Sequence, residues 1–202
     1  MWVIKIGGSL TESHLLPQWL NRIAEQGRGQ VVIVPGGGKF ADQVRHIQKI
    51  LKFNEHTAHR MALLAMQQFG LILAASHVDF EAAYYLNQIP SILTQNRIAI
   101  WMPDYTDLDA AGVEETWNVS SDSLSAWLAG SLSATHLVVL KHLSNGINGQ
   151  DISSLVRQGV LDKAFYKYTK NSTFCVHIQN VEQLTDFKFT ALRSEDSIIY
   201  ES

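Results

Sequence analysis

A chain of 202 residues, 46% hydrophobic and 17% charged, can bury one sizeable core. Sixteen Lys plus Arg against nineteen Asp plus Glu leave a formal charge of -3, which excludes a general attraction for nucleic acid or an anionic membrane, so any anion site must be local. One cysteine, Cys175, excludes an internal disulfide framework, and no apolar run approaches membrane-spanning length.

The first residues, Met1 to Lys5, enter a strand at once, without a basic stretch followed by an apolar one, and a cytoplasmic protein is expected. Val3 to Ile6 reads as the first strand and Val31 to Val34 as the second. Between them Leu15, Leu16, Trp19, Leu20 and Ile23 recur at helical spacing, with Pro17 near the helix start and Gly27 beyond its end. Phe40, Val44, Ile47 and Leu51 mark a second helix, and Ala58, Met61, Ala62, Ala65, Met66, Phe69 and Leu73 a longer one after Asn54. Ile98 to Trp101 is a further strand, Pro103 to Gly112 a polar, acidic loop, and Ser120-Ser121-Asp122 opens a helix carrying Leu124, Trp127 and Leu128. His136 to Leu140 forms the next strand. Asn145-Gly146 and Asn148-Gly149 are turn signals, so a loop or short hairpin is expected to about Asp151. Phe174 to Ile178 and Ser197 to Tyr200 complete the strands. Short β-branched runs alternating with amphipathic stretches predict an α/β fold with a mainly parallel sheet covered by helices on both faces. Neither a repeat nor a linker composition marks a domain boundary, so one domain, 1–202, is expected.

Two glycine loops, Gly7-Gly8-Ser9 and Gly36-Gly37-Gly38, follow the first two strands, and Lys5 lies inside the first. Glycine lets backbone N–H groups approach an anion closely, and a helix opening after each loop turns its positive end toward the same charge. Neither loop has the G-x-x-x-x-G-K-[ST] or the G-x-G-x-x-G pattern, so the signal is phosphate binding without a P-loop or a dinucleotide fingerprint. The Lys5 ammonium belongs either at a sheet surface or at a strand end facing a ligand, because burying it unpaired is expensive. Asp122 serves equally as a first-turn acid favoured by the helix dipole or as a site carboxylate, and Lys141 as an exposed strand-end residue or as a phosphoryl neutraliser. The eight histidines show no metal-ligand spacing, which argues against zinc, and no nucleophile elbow is present.

VIKIGGSL at Val3 to Leu10, VPGGGKFAD at Val34 to Asp42 and WNVSSDSLSAWLA at Trp117 to Ala129 resemble, in order and spacing, three signature segments of the amino acid kinase superfamily. The resemblance covers nearly the whole chain and implies a three-layer αβα sandwich that transfers the γ-phosphoryl group of MgATP to a carboxylate, carbamate or phosphate. PGGGKFADQVR at Pro35 to Arg45, AHRMALLAMQQFG at Ala58 to Gly70, IAIWMPD at Ile98 to Asp104 and VLKHLSNGI at Val139 to Ile147 are similar to the furan-methyl phosphate kinase branch of methanofuran biosynthesis, whose acceptor is [5-(aminomethyl)furan-3-yl]methyl phosphate. Isopentenyl phosphate kinases carry a histidine four positions after the third glycine, where this chain has Asp42.

The resemblance implies Lys5 at the transferring phosphoryl group, positioned by Asp122. It implies Gly7, Gly8 and Ser9 at the β- and γ-phosphates, with Lys141, Asn145 and Gly146 on the nucleotide side. Gly36, Gly37, Gly38 and Arg45 are expected at the acceptor phosphate. ATP and Mg²⁺ are the implied cofactors, the metal being carried by ATP rather than by protein ligands. A homodimer is the family expectation, and the N-terminal part is expected to hold the acceptor while residues from about 115 to 202 hold the nucleotide. Departures from the family occur at Asp162-Lys163, where a second catalytic lysine is usual and Lys163 or Lys167 are candidate substitutes, at Asn145, and at Glu195-Asp196-Ser197. A non-catalytic nucleotide-binding regulator with the same fold is the alternative function.

Overall fold

The computed structural model describes residues 1–143, 151–184, 187 and 189. Six strands form one sheet, every pairing parallel: β1 (Trp2–Ile6), β2 (Val31–Pro35), β3 (Phe80–Ala83), β4 (Ile98–Trp101), β5 (His136–Lys141) and β6 (Cys175–Asn180). Their spatial order is β3-β4-β2-β1-β5-β6. The helices are α1 (Leu15–Gly27), α2 (Gly38–Leu51), α3 (Glu55–Ala75), α4 (Gln88–Thr94), α5 (Tyr105–Ala110), α6 (Ser121–Ser131), α7 (Ile152–Arg157) and α8 (Phe165–Thr169), with a 3₁₀ turn at Gly8–Glu12. No helix among the described residues is long and apolar enough to cross a membrane.

The central strands are buried on both faces, as a parallel sheet between two helical layers requires. Side chains of period two sort into two cores. One face gathers Val3, Val32, Val34, Leu137 and Val139 under α6, α7 and α8, and the other gathers Ile4, Ile6, Ile33, Val138 and Leu140 under α1. Helix α3 serves both, giving Leu63 and Met66 to the first core and Phe69 and Leu73 to the second. The Met66 position is therefore core, as its helical spacing predicts.

The expected αβα sandwich is present, and several short elements add to it. Helix α5 lies where an irregular acidic loop is expected. Asp104 caps it by accepting from the Thr106 amide at 2.8 Å, and Leu108 anchors it in the core. Strand β3 and helices α4, α7 and α8 carry four to seven residues each, too few for periodicity to register. Helix α1 runs through Gly27 rather than stopping before it. The expected turn at Asn145-Gly146 and strand at Ser197 to Tyr200 lie outside the described residues.

The strand order determines where a ligand belongs. From β1 the chain crosses to β2 on one side, and from β5 it crosses to β6 on the other. The two loops leave the sheet in opposite directions and open a crevice at the carboxyl ends of β1 and β5, the usual ligand position in an open α/β sheet.

Candidate active site

Lys5 occupies the fourth of five positions in β1, in register with Val34 on one side and Val139 on the other. Lys141 lies two residues beyond Val139, so period-two alternation brings both ammonium groups to the same sheet face. Helix α6 crosses that face and supplies Asp122 in its first turn. The Lys5 Nζ stands 2.9 Å from Asp122 Oδ1 as an ion pair, and the Lys141 Nζ donates a hydrogen bond to Oδ2 at 2.6 Å. Asp122 thus satisfies the helix dipole and pairs with two lysines at once. The sheet-surface position considered for Lys5 is not the one adopted, since the residue is only 5% exposed.

The electrostatics follow from that burial. Desolvation is the main influence on Lys5 and the nearby Lys141 charge adds to it, so its pKa falls below that of an ordinary lysine despite the opposing pull of Asp122. Desolvation also opposes the charge on Asp122, but the two lysines together outweigh it and hold the carboxyl below its usual range. The cluster has two cations and one anion, a net positive charge in a water-poor place.

The glycine loops touch each other. A Cβ on Gly8 would stand 2.1 Å from the Gly38 backbone nitrogen, and one on Gly36 would stand 2.5 Å from the Gly8 nitrogen. Gly38 also adopts a left-handed φ of 52°. Close loop packing therefore requires these glycines independently of any ligand. Gly7 differs: its Cβ would come 3.4 Å from the Lys5 Nζ, so a larger side chain there would cover the ammonium.

Beside the loops lies a cavity of about 260 Å³, lined on one side by Gly8, Ser9, Gly37, Gly38, Asp42 and Arg45, and on the other by His59, Leu63, Met66, Trp117, Ser120 and Ser121. The amino ends of α2 and α6 both border it; that of α2 carries no side-chain cap, whereas at α6 the Asp122 and Ser123 amides are already taken by Ser120 and Asp162. The Arg45 guanidinium lies 4.4 Å from the Trp117 ring centroid, and the Trp117 indole donates to Gln48 Oε1 at 2.7 Å. Lys5, Asp122, Lys141, Gly7 and Gly36 are not among its lining residues, nor are Lys163 and Lys167. Lys167 instead donates to Glu114 at 2.6 Å on the surface. Asn145 and Gly146 lie outside the described residues.

Three contributors went unread in the sequence. Asp162, noted only as a departure, is the hub beneath the start of α6. Its carboxylate accepts from the Ser120 amide at 2.9 Å, the Ser120 hydroxyl at 2.6 Å and the Ser123 amide at 3.0 Å, with the Ser123 hydroxyl as a further donor. Ser120 Oγ in turn accepts from the Asp122 amide at 3.3 Å. Replacing Asp162 by alanine removes this set and is expected to destabilise the protein by about 2 kcal/mol, near the upper end of capping effects. Urea unfolding of the variant checks this, and an unchanged midpoint refutes it. Trp117 opened a motif without receiving a role. His59 was hidden in α3, although His59, Ala62, Leu63 and Met66 share the i, i+3, i+4, i+7 spacing that faces the cavity.

The family model for the amino acid kinase family matches residues 1–147, and the chain belongs to that family: it is a phosphotransferase with the amino acid kinase fold. Its sequence is 28% identical over 200 residues to the [5-(aminomethyl)furan-3-yl]methyl phosphate kinase of Methanocaldococcus jannaschii, covering 92% of each chain. Uridylate kinase from Archaeoglobus fulgidus superposes with a TM-score of 0.67 at 16% identity, over 91% of this chain and 92% of that one. UMP kinase from Ureaplasma parvum gives 0.66 at 18% identity, over 90% of both.

Proposed function

We propose that the chain transfers the γ-phosphoryl group of MgATP to [5-(aminomethyl)furan-3-yl]methyl phosphate, forming the diphosphate in methanofuran-type cofactor synthesis in the cytoplasm. The Lys5–Asp122–Lys141 cluster carries the reading: two cations, locked by one buried carboxylate, stand at the crevice between β1 and β5 beside a cavity bordered by two helix amino ends. Phosphoryl transfer between two polyanions needs positioning and charge neutralisation more than a covalent protein group. The acceptor phosphate already presents an anionic oxygen, so no general base is required.

In this reading Lys5 takes up charge on the transferring group, and Asp122 holds its ammonium in place. Gly7, Gly8 and Ser9 hold the donor phosphates, the absence of a side chain at Gly7 leaving the Lys5 ammonium uncovered, with Lys141, Asn145 and Gly146 on the nucleotide side. ATP supplies the phosphoryl group, and Mg²⁺ would arrive on its phosphates, as that ion usually does. Gly36, Gly37, Gly38 and Arg45 hold the acceptor phosphate. Gly37, Gly38 and Arg45 line the cavity directly, and Gly36 supports the first loop behind them. The division into an acceptor part and a nucleotide part near residue 115 belongs to the same proposal, with Trp117, Val119, Ser120, Ser121 and Leu124 reaching across into the cavity.

The small cavity, below the roughly 300–1,000 Å³ usual for ligand pockets, supports a compact acceptor. The identity to the Methanocaldococcus jannaschii kinase over nearly the whole chain supports the furan-methyl compound in particular. Leu64, Leu71 and Ile72 remain at least half exposed on the outer face of α3, which supports the expected homodimer. The test is incubation of the purified protein with MgATP and the furan-methyl phosphate, followed by ³¹P NMR. Stoichiometric ADP and a diphosphate product are expected. Inertness toward this compound alongside rapid turnover of UMP would reject the acceptor.

A further inference from the structure

Among the cavity-lining side chains His59 differs from the rest. It is 6% exposed, and its Nε2 is fully buried and has no hydrogen-bond partner. The Thr116 backbone acts on the ring in the direction that favours its protonated form, as a carbonyl facing a ring N–H does, and Nε2 is the nitrogen left without a partner. With the proton on Nδ1, Nε2 carries a lone pair. Burial is the main influence on the ring and lowers its pKa, against the opposing pull of Glu115 and the Thr116 carbonyl, so the neutral form is favoured. A buried acceptor left unsatisfied costs free energy, and such a group in a cavity wall calls for a donor on the ligand.

The rest of the wall indicates which donor. Arg45 and the uncapped amino end of α2 are positive and suit the phosphate. Leu63, Met66 and the Trp117 ring are apolar or aromatic and suit a flat ring. The His59 lone pair suits a cation, whereas Asp42, the carboxylate on the lining, is already paired with Arg45 at 3.5 Å. The cavity therefore presents groups for an anion, a small ring and an ammonium.

We propose that His59 is a specificity-determining residue, whose Nε2 accepts a hydrogen bond from a protonated amine on the body of the acceptor. The kinase thus selects amine-bearing phosphate monoesters over their amine-free counterparts. This rests on the acceptor reading above and adds the residue that recognises the end of the molecule remote from the phosphate.

The test compares the parent protein, His59→Leu and His59→Gln with two acceptors: [5-(aminomethyl)furan-3-yl]methyl phosphate and the counterpart bearing methyl in place of aminomethyl. The parent is expected to favour the amine about 10- to 100-fold in KM, the range for a hydrogen bond to a charged group. His59→Leu raises KM for the amine by that factor, moves kcat by less than about threefold and leaves the methyl compound's KM near its parent value. His59→Gln restores an acceptor atom and recovers part of the preference. Undiminished discrimination in His59→Leu overturns the proposal, and so does an equal loss of kcat on both compounds, which marks a structural role. A parent protein that phosphorylates UMP but neither furan compound overturns the acceptor reading itself, and the role of His59 falls with it.

Discussion

Lys5→Met is expected to lower kcat by roughly 10²–10³-fold, the loss typical of one preorganised group that stabilises transition-state charge. Methionine approximates the length of lysine and fills the same buried channel in β1, so packing is retained. Stability is expected to change little. Desolvation already works against the Lys5 charge, and Asp122 keeps Lys141 as its partner at 2.6 Å. The large cost of breaking a buried ion pair comes from the charge left without a partner, and here no charge is left alone. The measurement is ADP release under saturating substrates, paired with a thermal melt. Turnover within about tenfold of the parent, with an intact melt, removes Lys5 from the transfer step.

Asp122→Asn has the opposite balance and the larger structural effect. It leaves the Lys5 and Lys141 ammonium groups on one sheet face without the carboxylate that separates and neutralises them. Breaking a buried ion pair from one side costs about 3–5 kcal/mol. At about 2–4 °C per kcal/mol for a chain of this size, Tm is expected to fall by roughly 6–20 °C. The kcat should fall by about 10²-fold as well, because a lysine displaced by an ångström no longer meets the reacting group.

Acid provides an independent check on Asp122. Its folded-state pKa lies below the unfolded value of about 3.9, so its contribution is fully present above that value and is lost as pH falls through the folded one. The parent should lose stability on this account below about pH 4, and the asparagine variant should lack that share of the acid limb. Urea midpoints between pH 7 and pH 3 measure it. Parallel curves for the two proteins would show that Asp122 is not the responsible carboxylate. Lys5 behaves differently, because its lowered pKa means that protonation costs stability, and that cost is relieved only as pH rises toward the ordinary lysine value.

Much of the candidate site was legible because its residues sit in short local patterns. Lys5 precedes Gly7-Gly8 by two residues, Gly36 to Gly38 close β2 and open α2, and Asp122 follows a serine cap. Strand, loop and helix start are set by neighbouring residues, so these groups could be named with their positions at element ends. Asp162 could not, because four of its five donors come from Ser120 and Ser123, 42 and 39 positions earlier in the chain. His59 was obscured by its own helix, where an apolar stripe at the same spacing reads as core. Trp117 could be placed in a motif, but its stacking under Arg45 joins a turn before α6 to the distant helix α2.

The sequence by itself determined the alternation of strands and helices, the loops that need glycine and the choice of charged groups, because each depends on backbone propensity and side-chain periodicity over a few residues. Only the tertiary structure decided that β1 lies beside β5 although more than 130 residues separate them. That adjacency makes Lys5 and Lys141 neighbours and lets one aspartate serve both. It also revealed that Gly8, Gly36 and Gly38 are required by each other as backbones in contact, a constraint that arises from two loops meeting in space.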